Sequence, residues 1–317
     1  MRIVVNGQQA FGAEVLKALL ERGEDVVAVY CAPDKEGRPP DPLAEAAREA
    51  GLELRQPESF ETDDAAAELA GLEPDLMVMA FVILKVPEPV LNAPTHGTIQ
   101  YHPSLLPRHR GPSAINWAII HGDETAGLAI FWPDDGLDTG PVLLTKEVEI
   151  TPDDTLGSLY FDKLFPLGVE AMTESVDLVR EGRAPRVAQV EEDATYESWC
   201  RHEDVEIDWS RPVRDVHNLI RGADPRPGAW TTIDGAEVGI LGAERIDDDP
   251  GVEPGQVVAV EGERLVVAAA VFSPSATGGG RPACAPACGS AATPGRPPDA
   301  VRRPRVSRPA ARVIHRR

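Results

Sequence analysis

Residues 100–141 read QYHPSLLPRHRGPSAINWAIIHGDETAGLAIFWPDDGLDTGP and concentrate more turn chemistry than a core element needs. Pro103 and Pro107 bar a regular helix or central strand directly after Tyr101-His102. His102 is therefore expected at a strand end that turns into a loop, the edge where α/β sheets hold their ligands. Further on, DDGLDTG at 134–140 carries three carboxylates and two glycines. That composition predicts a tight turn able to bring Asp138 back toward His102.

Upstream, the chain alternates apolar runs with amphipathic ones. IVV at 3–5 is a short strand, followed by NGQQAFG and a helix in which Val15, Leu16, Leu19 and Leu20 share one face and Gly23 marks the stop. Gly7 and Gly12 do not complete a G-x-G-x-x-G fingerprint, so a dinucleotide is not expected. Strands over 25–32, 52–57 and 75–82, with helices over 41–51 and 62–72, predict a parallel, doubly wound, Rossmann-like sheet. After the His102 loop, SAINWAIIHG reads as a helix, and LAIFW and VLLTKEVEI as paired strands around the acidic turn. A helical stretch at 155–181 is expected to kink at Pro166.

Beyond it the pattern changes. Residues 1–186 read as one α/β domain, 187–204 as a linker, and 205–272 as a small β-rich, OB-like domain that breaks off in mid-strand at VVAAA. Residues 273–317 hold eight prolines and no periodicity, as expected of a disordered tail or of GC-rich coding sequence read in a shifted frame. The formal net charge of −21 is a sum of opposites. Nine arginines against one acid in residues 273–317 leave 22 basic and 51 acidic residues in 1–272, a net of −29. A body this acidic repels nucleic acid at long range, and its surface reads as a solvated acidic one.

Four scattered cysteines fit a reducing cytoplasm. Cys284 and Cys288 lack companions for a zinc site, and no metal is expected. No apolar run reaches membrane-spanning length, and Met1-Arg2 leads directly into a strand, so neither a membrane span nor a signal peptide is expected.

HPSLLPRHRG at 102–111 and GLDTGP at 136–141 resemble the active-site signatures of the folate-dependent formyltransferases. The resemblance runs to about residue 270. Through GQQAFG, PDKEG, SAINWAIIHGD and IFWPDDGLDTG it is closest to the hydrolase domain of 10-formyltetrahydrofolate dehydrogenase, and next to methionyl-tRNA formyltransferase. It implies a formyltransferase fold with 10-formyltetrahydrofolate as donor, and a catalytic pair of His102 and Asp138. Gln100 stands where methionyl-tRNA formyltransferases carry Asn as an oxyanion donor; it keeps the amide with one extra methylene. Ser104, Leu105, Leu106 and Pro107 match the family's folate-contacting loop, with Asp138 across from them. Leu84, Lys85 and Val86 fall where the pterin pocket's main chain lies. Lys85, Arg108 and Arg110 either attract an anionic folate tail or are simply solvated.

Formyl transfer needs a nucleophile to attack the formyl carbon, donors for the oxyanion, and a base for the nucleophile's proton. A lone histidine at a strand end is more often structural, but both signatures are intact. A non-catalytic folate-binding module is expected to have lost one of the pair. Water or a small amine is the expected acceptor. The alternative, tRNA, calls for a basic insertion after the second strand, and residues 32–46 hold two bases against four acids. No aldehyde dehydrogenase domain follows, so the complete dehydrogenase reaction is not expected of this chain.

Overall fold

The computed structural model describes residues 1–246, 251–262, 264–270 and 310–314. The first half runs β1 (Arg2–Gly7), α1 (Gln9–Glu21), β2 (Asp25–Tyr30), α2 (Pro42–Glu49), β3 (Leu54–Arg55), α3 (Ala65–Ala70), β4 (Leu76–Ala80), α4 (Glu88–Leu91) and β5 (Thr98–His102). It continues through α5 (Ala114–His121), β6 (Thr125–Phe131), β7 (Val142–Glu149), the short α6 (Leu156–Ser158) and α7 (Phe165–Arg180). The seven strands form one sheet in the order β3-β2-β1-β4-β5-β6-β7.

Both faces of this sheet are covered, and the side-chain alternation shows it. Ile3 and Val5 pack with Val15, Leu16 and Leu19 of α1 and with Ala171, Met172 and Val176 of α7. Val4, between them, points the other way and joins Ala28, Met77, Met79 and Leu69. A strand buried on both faces reads as an unbroken apolar run, as 3–5 and 76–80 do. The sheet is parallel over β3, β2, β1, β4 and β5, whereas β6 and β7 run antiparallel to their neighbours. Only the turn at 132–141 joins β6 to β7, too little chain for the crossover that a parallel pair requires.

Two local expectations change. The strand at 52–57 pairs only at Leu54 and Arg55. Around Pro166 the helical backbone runs on from 156 to 180: residues 159–164 wind as a π-helix and Pro166 follows as the second residue of α7, so the irregularity falls just before the proline.

The remainder comprises α8 (Val213–Ala223), a hairpin of β8 (Ala229–Ile233) and β9 (Ala236–Ile240), then β10 (Ala243–Ile246), β11 (Val257–Glu261), β12 (Arg264–Ala268) and β13 (Ala310–Ile314). The last four form an antiparallel sheet in the order β10-β13-β12-β11. Residues 310–314 therefore fill a central place in it, which corrects the expectation of an unstructured tail for those five residues. The expected tail at 273–309 and 315–317 lies outside the described residues. Among the described residues no helix is long and apolar enough to cross a membrane.

Helix α8 docks this β-rich part on α5. Asn116 donates its amide to the carbonyls of Gly222 (2.8 Å) and Arg226 (3.1 Å). A Cβ at Gly222 would lie 2.7 Å from Ile120 Cγ1, so the two helices meet at backbone distance. Arg221, 7% exposed, donates from Nη1 to the Thr151 and Asp154 carbonyls, both at 3.0 Å, and from Nε and Nη2 to Asn218 Oδ1. Burial draws its guanidinium below the ordinary arginine range, against the pull of Asp154 and Asp153.

Each carbonyl left without a donor in such a site costs ~1–3 kcal/mol. Arg221→Ala is therefore expected to lower the unfolding free energy by roughly 2–4 kcal/mol, read as a drop in denaturant midpoint. Arg211→Ala, at an exposed position, is expected to change it by less than about 0.5 kcal/mol. Equal midpoints for the two variants would show that Arg221 does not hold the interface.

Candidate active site

Strand β5 delivers the site. Gln100 and His102 are two residues apart on one strand and so share a face. Their partners on β6 are Phe131 and Ala129. Pro103 ends the pairing, and the loop reverses through His109 (φ 53°) and Gly111 (φ 108°). That reversal brings the His109 carbonyl to 2.8 Å from His102 Nε2. A carbonyl only accepts, so Nε2 carries the hydrogen and Nδ1 becomes the ring atom free to exchange a proton. Nδ1 faces Asp138 Oδ2 at 3.5 Å, with both side chains 7% exposed.

Asp138 arrives from the turn between β6 and β7. Asp134 Oδ1 accepts hydrogen bonds from the Gly136 N–H (3.1 Å) and the Thr139 hydroxyl (2.5 Å), which closes the turn. Asp138 itself adopts φ 58°, a left-handed conformation that Asp tolerates better than most residues. The Gly111 N–H donates to Asp138 Oδ2 at 2.8 Å. Gly111 has no substitute here: besides its positive φ, a Cβ would lie 2.1 Å from the Glu197 carbonyl oxygen.

That contact shows where the expected linker runs. Residues 187–199 cross behind the His102 loop and the Asp138 turn. Val187 pairs with Val142, and Gln189 donates its amide to the carbonyls of Asp138 (2.9 Å) and Gly140 (2.7 Å). The His109 N–H donates to Thr195 Oγ1 at 2.8 Å, the Arg110 N–H to the Thr195 carbonyl at 3.0 Å, and the Glu197 N–H to the Arg110 carbonyl at 2.8 Å. Arg110 is fully buried, its guanidinium on Gln189 Oε1, on both oxygens of Glu191 and on the Tyr196 hydroxyl. The Glu191 carboxylate holds Arg110 above the ordinary arginine range. Arg110 is thus a brace, neither solvated nor facing a folate. Gln189, Thr195 and Glu197 escaped the sequence reading because nothing local marks them; their partners lie roughly 50–90 positions away.

A cavity of about 340 Å³ opens beside this pair. One wall is the segment carrying Val82, Leu84, Lys85 and Val86; the other is the acidic turn with Asp134, Asp135, Leu137 and Asp138. Met79, Leu91, Gln100 and Phe131 also line it. His102 is not a lining residue and meets the cavity through Asp138. The cleft is apolar with one amide and several carboxylates, suited to a flat heteroaromatic ring bearing donors. Lys85, at its rim, pairs with Glu61 at 3.0 Å, and that carboxylate holds its ammonium above the usual lysine range.

The Ser104 to Pro107 stretch lies elsewhere. Ser104 and Leu105 line a separate depression of about 20 Å³ together with His109, Ile115 and Asp123. The Ser104 hydroxyl donates to the Arg108 carbonyl at 2.6 Å, and Leu105 lies against Gly127. Leu106 packs on Ala129 and Phe131, and the Pro107 carbonyl accepts from the Thr195 N–H. These four hold the His102 loop in shape and do not line the large cavity. Arg108 is exposed and pairs with Asp123 at 2.8 Å.

Residues 1–176 match the formyl transferase family and residues 200–273 the formyl transferase C-terminal domain. Cytosolic 10-formyltetrahydrofolate dehydrogenase of Xenopus laevis is 43% identical over 267 residues, covering 83% of this chain and 29% of that protein. The chain thus spans under a third of the length of that relative. Methionyl-tRNA formyltransferase of Marinobacter nauticus is 39% identical over 273 residues, covering 84% of this chain and 88% of that one. HypX from Aquifex aeolicus, solved in complex with tetrahydrofolic acid, shares the fold at a TM-score of 0.61 and 21% identity, over 84% of this chain and 42% of that one. With both domains matched in order around an intact His102 loop and Asp138 turn, the chain belongs to the folate-dependent formyltransferase family.

Proposed function

We propose that this chain takes the formyl group from 10-formyltetrahydrofolate and passes it to water or a small amine, with Asp138 and His102 as the catalytic pair. The observation that carries this reading is the Asp138 carboxylate at the edge of the 340 Å³ cavity, facing a histidine whose other nitrogen is tied to backbone. The pteridine lies between the segment at Leu84, Lys85 and Val86 and the acidic turn. The nucleophile attacks the formyl carbon as its proton moves to Asp138. The tetrahedral oxyanion takes hydrogen bonds from the Gln100 amide and, with the imidazole protonated at both nitrogens, from His102 Nδ1–H. The C–N10 bond then breaks, and the proton held on Asp138 is handed to N10, so the carboxylate is regenerated. Ser104, Leu105, Leu106 and Pro107 serve this site by fixing the loop, and they bind folate only through a part of the ligand outside the large cavity.

A second reading, formylation of methionyl-tRNA, has one observation in its favour: the tRNA enzyme is matched over nearly its whole length. The charge distribution opposes it. In the segment at 32–46, Asp41 caps α2 and accepts from the Gln9 N–H, while Asp34 holds Arg48. Two of its four acids are therefore fixed in place along this segment, and each neutralised phosphate calls for a free base.

Formate release from 10-formyltetrahydrofolate, with and without added amines, tests the first reading. Asp138→Asn and His102→Ala are each expected to lower kcat by ~10²–10³ with an unchanged far-UV circular dichroism spectrum. Near-native turnover in either variant would sink the assignment. Gln100→Leu is expected to lose about as much, and Gln100→Asn distinctly less, because only the latter keeps an amide to donate. For the acceptor, filter binding with initiator methionyl-tRNA at low salt is expected to show no saturable binding at micromolar protein; tight binding would favour the tRNA enzyme.

A further inference from the structure

Behind the His102 loop, on the side away from the large cavity, three ligand-type side chains converge. His109 Nδ1 lies 3.3 Å from Glu197 Oε1, and His121 Nδ1 lies 3.7 Å from the same oxygen. One ligand atom from each of the three residues falls within 4.8 Å of the others. We propose that His109, His121 and Glu197 form a binding site for one divalent cation of the zinc class, outside the formyl-transfer chemistry.

The distances favour coordination over simple ion pairing. A charge-assisted N–H···O⁻ bond closes to about 2.7–2.9 Å, as His109 Nε2 does with Asp123 Oδ2 at 2.9 Å. His109 Nδ1 reaches Glu197 Oε1 only in a long hydrogen bond of 3.3 Å, and His121 Nδ1 stays at 3.7 Å. Tetrahedral zinc, with bonds of about 2.0–2.2 Å, sets its ligand atoms roughly 3.3–3.5 Å apart; His109 Nδ1 meets that spacing to Glu197 Oε1 at 3.3 Å, and His121 Nδ1 stands just beyond it at 3.7 Å. Any wider gap between the two histidines closes by a shift of roughly 1–1.5 Å. His121 can make it, since it is the last residue of α5 and its side chain is 47% exposed.

A fourth residue supports the assignment. Asp123 Oδ2 lies 2.9 Å from the far nitrogen of His109 and fixes the hydrogen there, while Glu197 Oε1 faces Nδ1 at 3.3 Å, so that a cation would take the place of the Nδ1 proton against Glu197. A carboxylate behind a ligating histidine fixes its tautomer and raises its basicity. Glu197 and Asp123, with side chains 14% and 15% exposed, supply the countercharge for a dication. Half-exposed His121 leaves a solvent-side position for water as the fourth ligand, as in three-ligand zinc sites. Bound there, the cation would clamp residues 108–111 to Glu197, and the His109 backbone it fixes is the one that accepts from His102 Nε2.

The test is calorimetric titration of untagged, chelator-treated full-length protein with zinc sulfate near neutral pH. One equivalent is expected to bind with a micromolar or tighter Kd and to raise Tm. Asp123→Asn is expected to weaken binding by about 10–100-fold. His121→Ala, outside the formyl-transfer site, is expected to weaken it at least as much while leaving formate release by the metal-free protein unchanged. Cys284→Ser/Cys288→Ser is expected to bind as the parent does. The inference is overturned if the parent shows no saturable binding below about 100 μM. It is equally overturned if His121→Ala binds like the parent, or if the cysteine variant is the one that loses the metal. Because the readout is binding, these results stand whether or not the formyl donor and acceptor are those proposed above.

Discussion

The hydrogen bond from the Gly111 N–H to Asp138 Oδ2 is the contact on which the site depends. It ties the loop after β5 to the turn between β6 and β7, two segments that neighbour each other only because β6 pairs antiparallel with β5 and β7. It also occupies one oxygen of the carboxylate, which sets how the group faces His102. The bond can form only if residue 111 adopts φ 108° against the Glu197 carbonyl, and that requires glycine. Removing a Cβ at one position thus permits three chain segments to cross.

The crossing is held from behind. Gln189 satisfies two carbonyls of the acidic turn, while buried Arg110 gathers Gln189, Glu191 and Tyr196. A buried guanidinium is costly unless nearly every donor finds an acceptor, and here the segment at 187–199 supplies them. The stretch that joins the α/β part to the β-rich part therefore also works as the rear wall of the candidate site. On this account, damage to Gln189 or Thr195 reaches the chemistry through the position of Asp138 and His109, without contact to any ligand.

Much of the α/β sheet was legible because burial on both faces leaves unbroken apolar runs such as Val4–Val5 and Met77–Val78, whatever the partner strand. The pairing of β6 with β7 was legible from their alternation around a short turn. His102 and Asp138 were legible because Pro103 sets the one at a strand end and glycines confine the other to a turn, and the structure brings them to 3.5 Å. What escaped the sequence was whatever depends on distant partners. Arg110 looked like any surface arginine, since its acceptors lie about 80 positions on. Ser104 and Leu105 sit in the family motif, yet their side chains face away from the large cavity. The strand at 310–314 lies in an arginine- and proline-rich stretch with too little apolar period to show its place between β10 and β12.

The central claim is that the formyl carbon is presented to Asp138 from the cavity between Leu84, Lys85 and Val86 and the acidic turn. A crystal structure with a stable 10-formyl folate analogue tests it most directly. The account expects the pteridine between those two walls, with the formyl carbon about 3–3.5 Å from an Asp138 oxygen or from a water held by it. It further expects the formyl oxygen within hydrogen-bonding reach of Gln100 or His102 Nδ1. A pteridine seated in another depression, or a formyl group turned away from Asp138 beyond the span of one bridging water, would contradict it.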